Sequence, residues 1–83
     1  MQILYFAWVR EKIGRSGEEI ALPEDVVDVG GLMRHLVTLS PRHADAFANP
    51  MAIRAAINQD FATAGDAVSD GDEIAFFPPV TGG

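Results

Sequence analysis

Cysteine is absent from the 83-residue chain, so neither a disulfide framework nor a thiolate metal site can form. That suits a reducing compartment, and the cytoplasm is the expected location. Basic residues are few: six Lys and Arg stand against twelve Asp and Glu, a formal net charge of −6. Binding along a phosphate backbone requires clustered positive charge. Neither a nucleic acid nor an anionic membrane surface is therefore an expected partner. No apolar run is long enough to span a bilayer. Met1-Gln2-Ile3 carries no basic stretch ahead of the apolar segment, which argues against a secretory signal. The GxxxxGK[ST] pattern is missing, so Gly30-Gly31 is not a phosphate loop. The only histidines, His35 and His43, lie eight residues apart without a paired carboxylate motif. Ser16, Ser40 and Ser69 lack any nucleophile-elbow context. The chain is thus expected to hold no metal, cofactor or general base of its own.

What is present is enough apolar residue, 48%, for one core without staples. A chain of this size buries only about 60% of its unfolded surface, so that core is modest. Residues 2–9 read as a first strand, being β-branched, aliphatic or aromatic almost throughout. Arg10-Glu11-Lys12 closes it, Gly14 to Gly17 turns, and residues 18–22 form a second strand. Asp28 is placed to cap a helix. Val29, Leu32, Leu36 and Leu39 follow at helical spacing, with Met33 and Val37 widening the stripe. Ser40-Pro41 ends that helix. A short second helix is possible over 42–49. Strands are expected over 51–57, 61–64 and 73–77, the last after an Asp70-Gly71-Asp72 turn. The order predicts an α+β fold of the β-grasp type: a mixed sheet of about five strands, one main helix packed across it, and the first and last strands parallel neighbours.

The final residues carry the functional signal. Phe76-Phe77-Pro78-Pro79-Val80-Thr81-Gly82-Gly83 turns an apolar strand into a thin tail. Pro78 and Pro79 cannot donate to a ladder, so pairing stops there. This divides the chain into a domain over 1–77 and a tail over 78–83. With no Cβ on Gly82 or Gly83, the tip can enter a narrow tunnel and take almost any backbone angle. Phe6, Phe61 and Phe77 are candidates for an apolar patch facing a partner, or for core, with Phe76 turned away from Phe77 by strand alternation. Arg10 could pair with acidic groups on that partner or simply be a solvated strand end. Trp8 reads as packing, and His35 as a helix surface or edge residue.

The ending from Asp70 to Gly83, the opening Leu4 to Glu11 and the Ala56-Ile57-Asn58-Gln59 segment together resemble the molybdopterin synthase small-subunit family (MoaD). The resemblance implies a sulfur carrier. In such a protein the Gly83 carboxylate is adenylated by an activating (E1-like) enzyme using ATP and Mg, then converted by a sulfur donor to a thiocarboxylate. The tail, Pro78 to Gly83, enters a large synthase subunit and delivers sulfur to cyclic pyranopterin monophosphate for the molybdenum cofactor. The resemblance also implies a heterotetramer of two small and two large subunits, with positions matching Phe6 and Phe77 at the contact. The same tail chemistry would suit a carrier for thiamin, cysteine or tRNA thiolation, or a modifier joined to lysines. A non-covalent ubiquitin-like module is the alternative of another kind.

Overall fold

The computed structural model describes residues 1–79. In chain order the elements are β1 (Gln2–Tyr5), α1 (Ala7–Ile13), β2 (Gly17–Glu19), α2 (Val29–Val37), α3 (Pro41–Ala46), a 3-10 turn (Pro50–Ala52), β3 (Arg54–Ile57), β4 (Asp60–Ala62) and β5 (Glu73–Phe77). The five strands form one sheet in the order β2-β1-β5-β3-β4. β1 and β5 run parallel at its centre, with Tyr5 opposite Phe76. All the other pairs are antiparallel. This is the β-grasp arrangement.

The inner face of the sheet carries Ile3, Tyr5, Ala55, Ile74 and Phe76, all buried in one cluster with Val29, Leu32 and Leu36 of α2. The stripe on α2 is narrower than its spacing predicts. The helix ends at Val37, which is 37% exposed, and Leu39 beyond it is 41% exposed.

The largest departure from the sequence reading is at the first strand. It ends at Tyr5, and the segment expected to complete it is α1. Ala7 has φ 53°, in the left-handed region, and turns the chain out of the sheet. Val9 and Ile13 then lie one helical turn apart and are buried, which leaves Arg10, Glu11 and Lys12 exposed. Gly14, at φ 89°, closes the helix by donating its N–H to the Arg10 carbonyl at 2.8 Å. Lys12 sits 5.9 Å above the half-buried Trp8 ring and pairs with Asp45 of α3 at 3.4 Å. Three α-helices are present among the described residues: the expected main helix α2, α3 where a short second helix was possible, and α1, which was not expected.

Smaller corrections have local causes. β2 is shorter than 18–22, although Met1 and Ile20 still exchange two backbone hydrogen bonds at 2.9 Å. β3 starts three residues later than expected because Pro50 opens a 3-10 turn. β4 is shifted one residue earlier at its start. Ser40-Pro41 begins α3 rather than ending α2. The Ser40 hydroxyl accepts from the His43 N–H at 3.2 Å, and Pro41 occupies the first turn.

Asp28 caps α2 as expected, its carboxylate accepting from the Gly31 N–H at 2.8 Å. The neighbouring Gly30 is explained by a close approach. Its N–H donates to the Ala64 carbonyl at 2.9 Å, and a Cβ there would stand 3.3 Å from the same oxygen. Replacing Asp28 with Ala should cost about 1 kcal/mol of stability. Urea unfolding should show this as a lower midpoint with an unchanged slope.

Candidate functional site

Register defines the sheet's outer face. One row crosses all five strands: Gly17, Leu4, Ala75, Ala56 and Phe61. The next row toward the tail pairs Phe77 with Arg54. Phe6 keeps an extended backbone (φ −127°, ψ 154°), so alternation carries on and turns it outward. Its N–H donates to the Phe76 carbonyl at 3.0 Å, which places it beside Phe77.

The three expected phenylalanines therefore share one face. Phe61 is 85% exposed and Phe6 46% exposed, while the Phe77 ring is half-buried against Phe61 at 6.0 Å between centroids. Phe76 points inward and is fully buried against Phe47 at 5.0 Å. Arg10 is not a strand end. It lies within α1, exposed, with its backbone N–H bonded to the Phe6 carbonyl at 3.4 Å.

The tail leaves from the same place. β5 ends at Phe77, between the register positions of Phe6 and Arg54. Pro78 is half-buried and Pro79 exposed. The expected site residues Val80, Thr81, Gly82 and Gly83 lie outside the described residues. The described part thus provides an apolar platform around the root of the tail. Contact across such a platform would bury aromatic side chains of the kind that dominate binding energy.

A polar cluster that sequence reading missed lies on the opposite face. His43, which no carboxylate motif accompanies in the sequence, is buried with its Nε2 2.6 Å from Glu18 Oε2. The Tyr5 hydroxyl donates to the same oxygen at 2.7 Å, and Ser40 Oγ is 2.7 Å from His43 Nδ1. Arg15 reaches the other Glu18 oxygen at 3.4 Å. Glu18 pairs with Ile3 in register, so it points inward. Alternation on β2 is the one sequence signal that could have revealed this.

Burial raises the Tyr5 pKa, and the hydrogen bond to Glu18 raises it further, so the hydroxyl stays protonated. Burial acts to raise Glu18 as well. The hydrogen bonds from His43 and Tyr5 and the charges of His43 and Arg15 outweigh it, and Glu18 is held below the usual 4.5. The serine stands on Nδ1 and the acid on Nε2, the reverse of a nucleophilic triad. Ser40 is also engaged in capping α3. The cluster therefore acts as a clasp that fastens α3 to β1 and β2.

Replacing Glu18 with Gln should cost about 2 kcal/mol at neutral pH, the value of hydrogen bonds to a charged group. A carboxylate whose folded pKa is depressed binds fewer protons folded than unfolded. Its stabilisation is complete above the unfolded value near 4.5 and is lost as pH falls through the lower folded value. Thermal midpoints should accordingly fall in acid for the parent chain, and the gap to Glu18→Gln should close there.

Comparison with known proteins fits this geometry. The ThiS family profile matches residues 3–83. The chain belongs to the ThiS family. The molybdopterin synthase sulfur carrier subunit of Escherichia coli (strain K12) is 41% identical over 83 residues, covering 100% of this chain and 99% of that protein. The subunit of the same name from Haemophilus influenzae is 40% identical over 83 residues, with 100% and 99% covered. Among solved structures, small archaeal modifier protein 1 of Haloferax volcanii superposes with a TM-score of 0.75 at 28% identity, covering 96% of this chain and 97% of that one. The resemblance to molybdopterin synthase small subunits, read from both ends and the middle of the sequence, holds along the full length of the chain.

Proposed function

We propose that this ThiS-family chain is the sulfur-carrier subunit of a molybdopterin synthase. The observation that carries this reading is end-to-end identity of 40% or more with relatives bearing that name. The aromatic platform at the root of the tail supports it. Gly83 is the reacting residue, and Pro78, Pro79, Val80, Thr81 and Gly82 form the stalk.

A carboxylate is a poor electrophile. An activating (E1-like) partner, using ATP and Mg, joins the Gly83 carboxylate to AMP and releases pyrophosphate. A sulfur nucleophile from a donor then attacks the carbonyl. The C–S bond forms as the bond to AMP breaks, and a thiol then frees the sulfur from any donor persulfide by forming a disulfide with the donor, leaving a thiocarboxylate. This ionises readily; its soft sulfur bonds to the pterin precursor in the large subunit, and water then cleaves the Gly83 C–S bond, leaving the sulfur on the pterin and restoring the Gly83 carboxylate. The chain supplies the transferred sulfur, and the catalytic groups reside on its partners. Two small and two large subunits make the working synthase, in the cytoplasm. The chain itself binds no cofactor.

Phe6, Phe61 and Phe77 form the docking surface for the large subunit, with Arg10 of α1 as a further contact. The net charge of −6 steers the chain toward basic partner surfaces. Co-expression with a molybdopterin synthase large subunit tests the proposal. A stable complex that makes molybdopterin from the pterin precursor is expected, and failure to associate would refute the assignment. Likeness to small archaeal modifier protein 1 favours a second reading, covalent attachment to lysines through the same carboxylate. Isopeptide-linked adducts in cell extracts would establish it.

A further inference from the structure

A cavity of about 470 Å³ opens between α2, the 3-10 turn and the β3–β4 edge, mainly on the helix side of the sheet; Arg54, whose register position faces the aromatic platform, reaches its rim, where Nη1 donates to the Met51 carbonyl at 3.4 Å. Its floor is buried and apolar, formed by Val29, Met33, Phe47 and Ala55. Its lip carries Met51, 82% exposed, and Val37, 37% exposed. Thioether side chains at floor and lip adapt readily to the shape of a guest.

Charge distinguishes this cavity from the rest of the surface. Twelve acidic residues occur in the chain, and none lines the cavity. Two of the six basic residues do, Arg34 and Arg54. Neither is ion-paired among the described residues, a state they share with Arg10 and Arg42 but not with Lys12 and Arg15. Arg34 also borders a neighbouring hollow with Asp25, yet makes no pair with it. Gly30 lines the wall beside Arg34, whose nitrogen a Cβ there would meet at ordinary contact distance, 3.5 Å.

A volume of this size, a mainly apolar lining and a few polar groups are the marks of a small-molecule site. We infer that the cavity binds a small amphipathic anion: a flat or branched apolar body on the Val29–Met33–Ala55 floor, with a carboxylate, sulfonate or phosphate held by Arg34 and Arg54. Guanidinium forks suit such headgroups. The apolar body excludes a simple inorganic anion as the intended occupant. The site is separate from the tail, so binding should not require Gly82 or Gly83.

The test uses the full chain and 8-anilinonaphthalene-1-sulfonate, with its sulfonate-free analogue N-phenyl-1-naphthylamine as comparator. Saturable binding is expected, with amide shifts concentrated at Gly30, Val37, Met51 and Ala64. The sulfonate should bind more tightly than the neutral analogue. Because Arg34, Arg54 and Met51 are exposed, their replacement should leave the amide spectrum native. The Arg34→Ala/Arg54→Ala double variant should weaken sulfonate binding by about tenfold or more, while binding of the neutral analogue is little changed. Met51→Glu should weaken it comparably. Equal affinity for the two compounds, shifts centred on Phe61 and Phe77, or unchanged binding by these variants would each overturn the inference.

Discussion

A chain ending at Thr81 should fold as well as the full-length protein and transfer no measurable sulfur. The members of the core cluster among the described residues all precede Phe77. Loss of the two glycines should leave the thermal midpoint in place. Function should collapse for geometric reasons. Pro78 to Gly83 reaches at most about 20 Å from the sheet, and removing two residues shortens that by about 7 Å. Reacting groups must approach to roughly 3–3.5 Å, and even a 1 Å misplacement can cost about a hundredfold. Molybdopterin formation with the large subunit should therefore drop by about a thousandfold or more. Gly82→Val should also be severely impaired, because a branched side chain stiffens and thickens the stalk. A truncated chain that retains near-normal turnover would place the chemistry elsewhere.

The second large effect separates two adjacent phenylalanines. Phe76 is fully buried, stacked edge-on against Phe47, and opposite Tyr5 on the central strand pair. Phe76→Ala should cost about 3–5 kcal/mol through lost burial and the cavity left behind. Small domains hold only about 5–15 kcal/mol in total, and this one stands near the low end by size. The variant should be largely unfolded near body temperature by circular dichroism. Phe77 points to the other face and touches Phe61 alone among the aromatic rings described. Phe77→Ala should cost about 1 kcal/mol of stability, the scale of one aromatic pair. It should weaken association with the large subunit by about 2 kcal/mol or more, roughly thirtyfold, as expected of an aromatic hot spot. Calorimetry on the folded variant would measure that loss directly. Normal association by Phe77→Ala would remove the platform from the account.

How much of this was legible in the sequence varied with the range of the interactions. β5 was read to the residue, because β-formers lie between an Asp-Gly-Asp turn and two prolines. The Asp28 cap is equally local. The parallel pairing of β1 with β5 followed from their being the most apolar strands. Alternation set Phe76 apart from Phe77 in the sequence, but whether Phe6, Phe61 and Phe77 faced a partner or the core stayed open there.

α1 was hidden because Ala7-Trp8-Val9 continues an apolar run and Ile13, which completes the helical period, lies beyond the charged residues. The reversal at Ala7 depends on a backbone angle that no residue type announces. The same error moved Arg10 from a strand end to a helix. Glu18 and His43 are 25 residues apart, and only the folding of α3 against β2 joins them. The cavity beside α2 is likewise a product of three separate elements, though its Gly30 wall was visible as an unexplained pair of glycines.

The central claim is that the Gly83 carbonyl is the reaction centre and that the chain's partners supply the catalysis. Intact-mass spectrometry tests it most directly. The purified chain is incubated with its activating enzyme, ATP, Mg and a sulfur donor, and the C-terminal peptide is then sequenced by fragmentation. The account predicts a mass gain equal to the difference between sulfur and oxygen, located on Gly83 and dependent on ATP. An unchanged Gly83 in an extract that actively makes molybdopterin from this chain would contradict it.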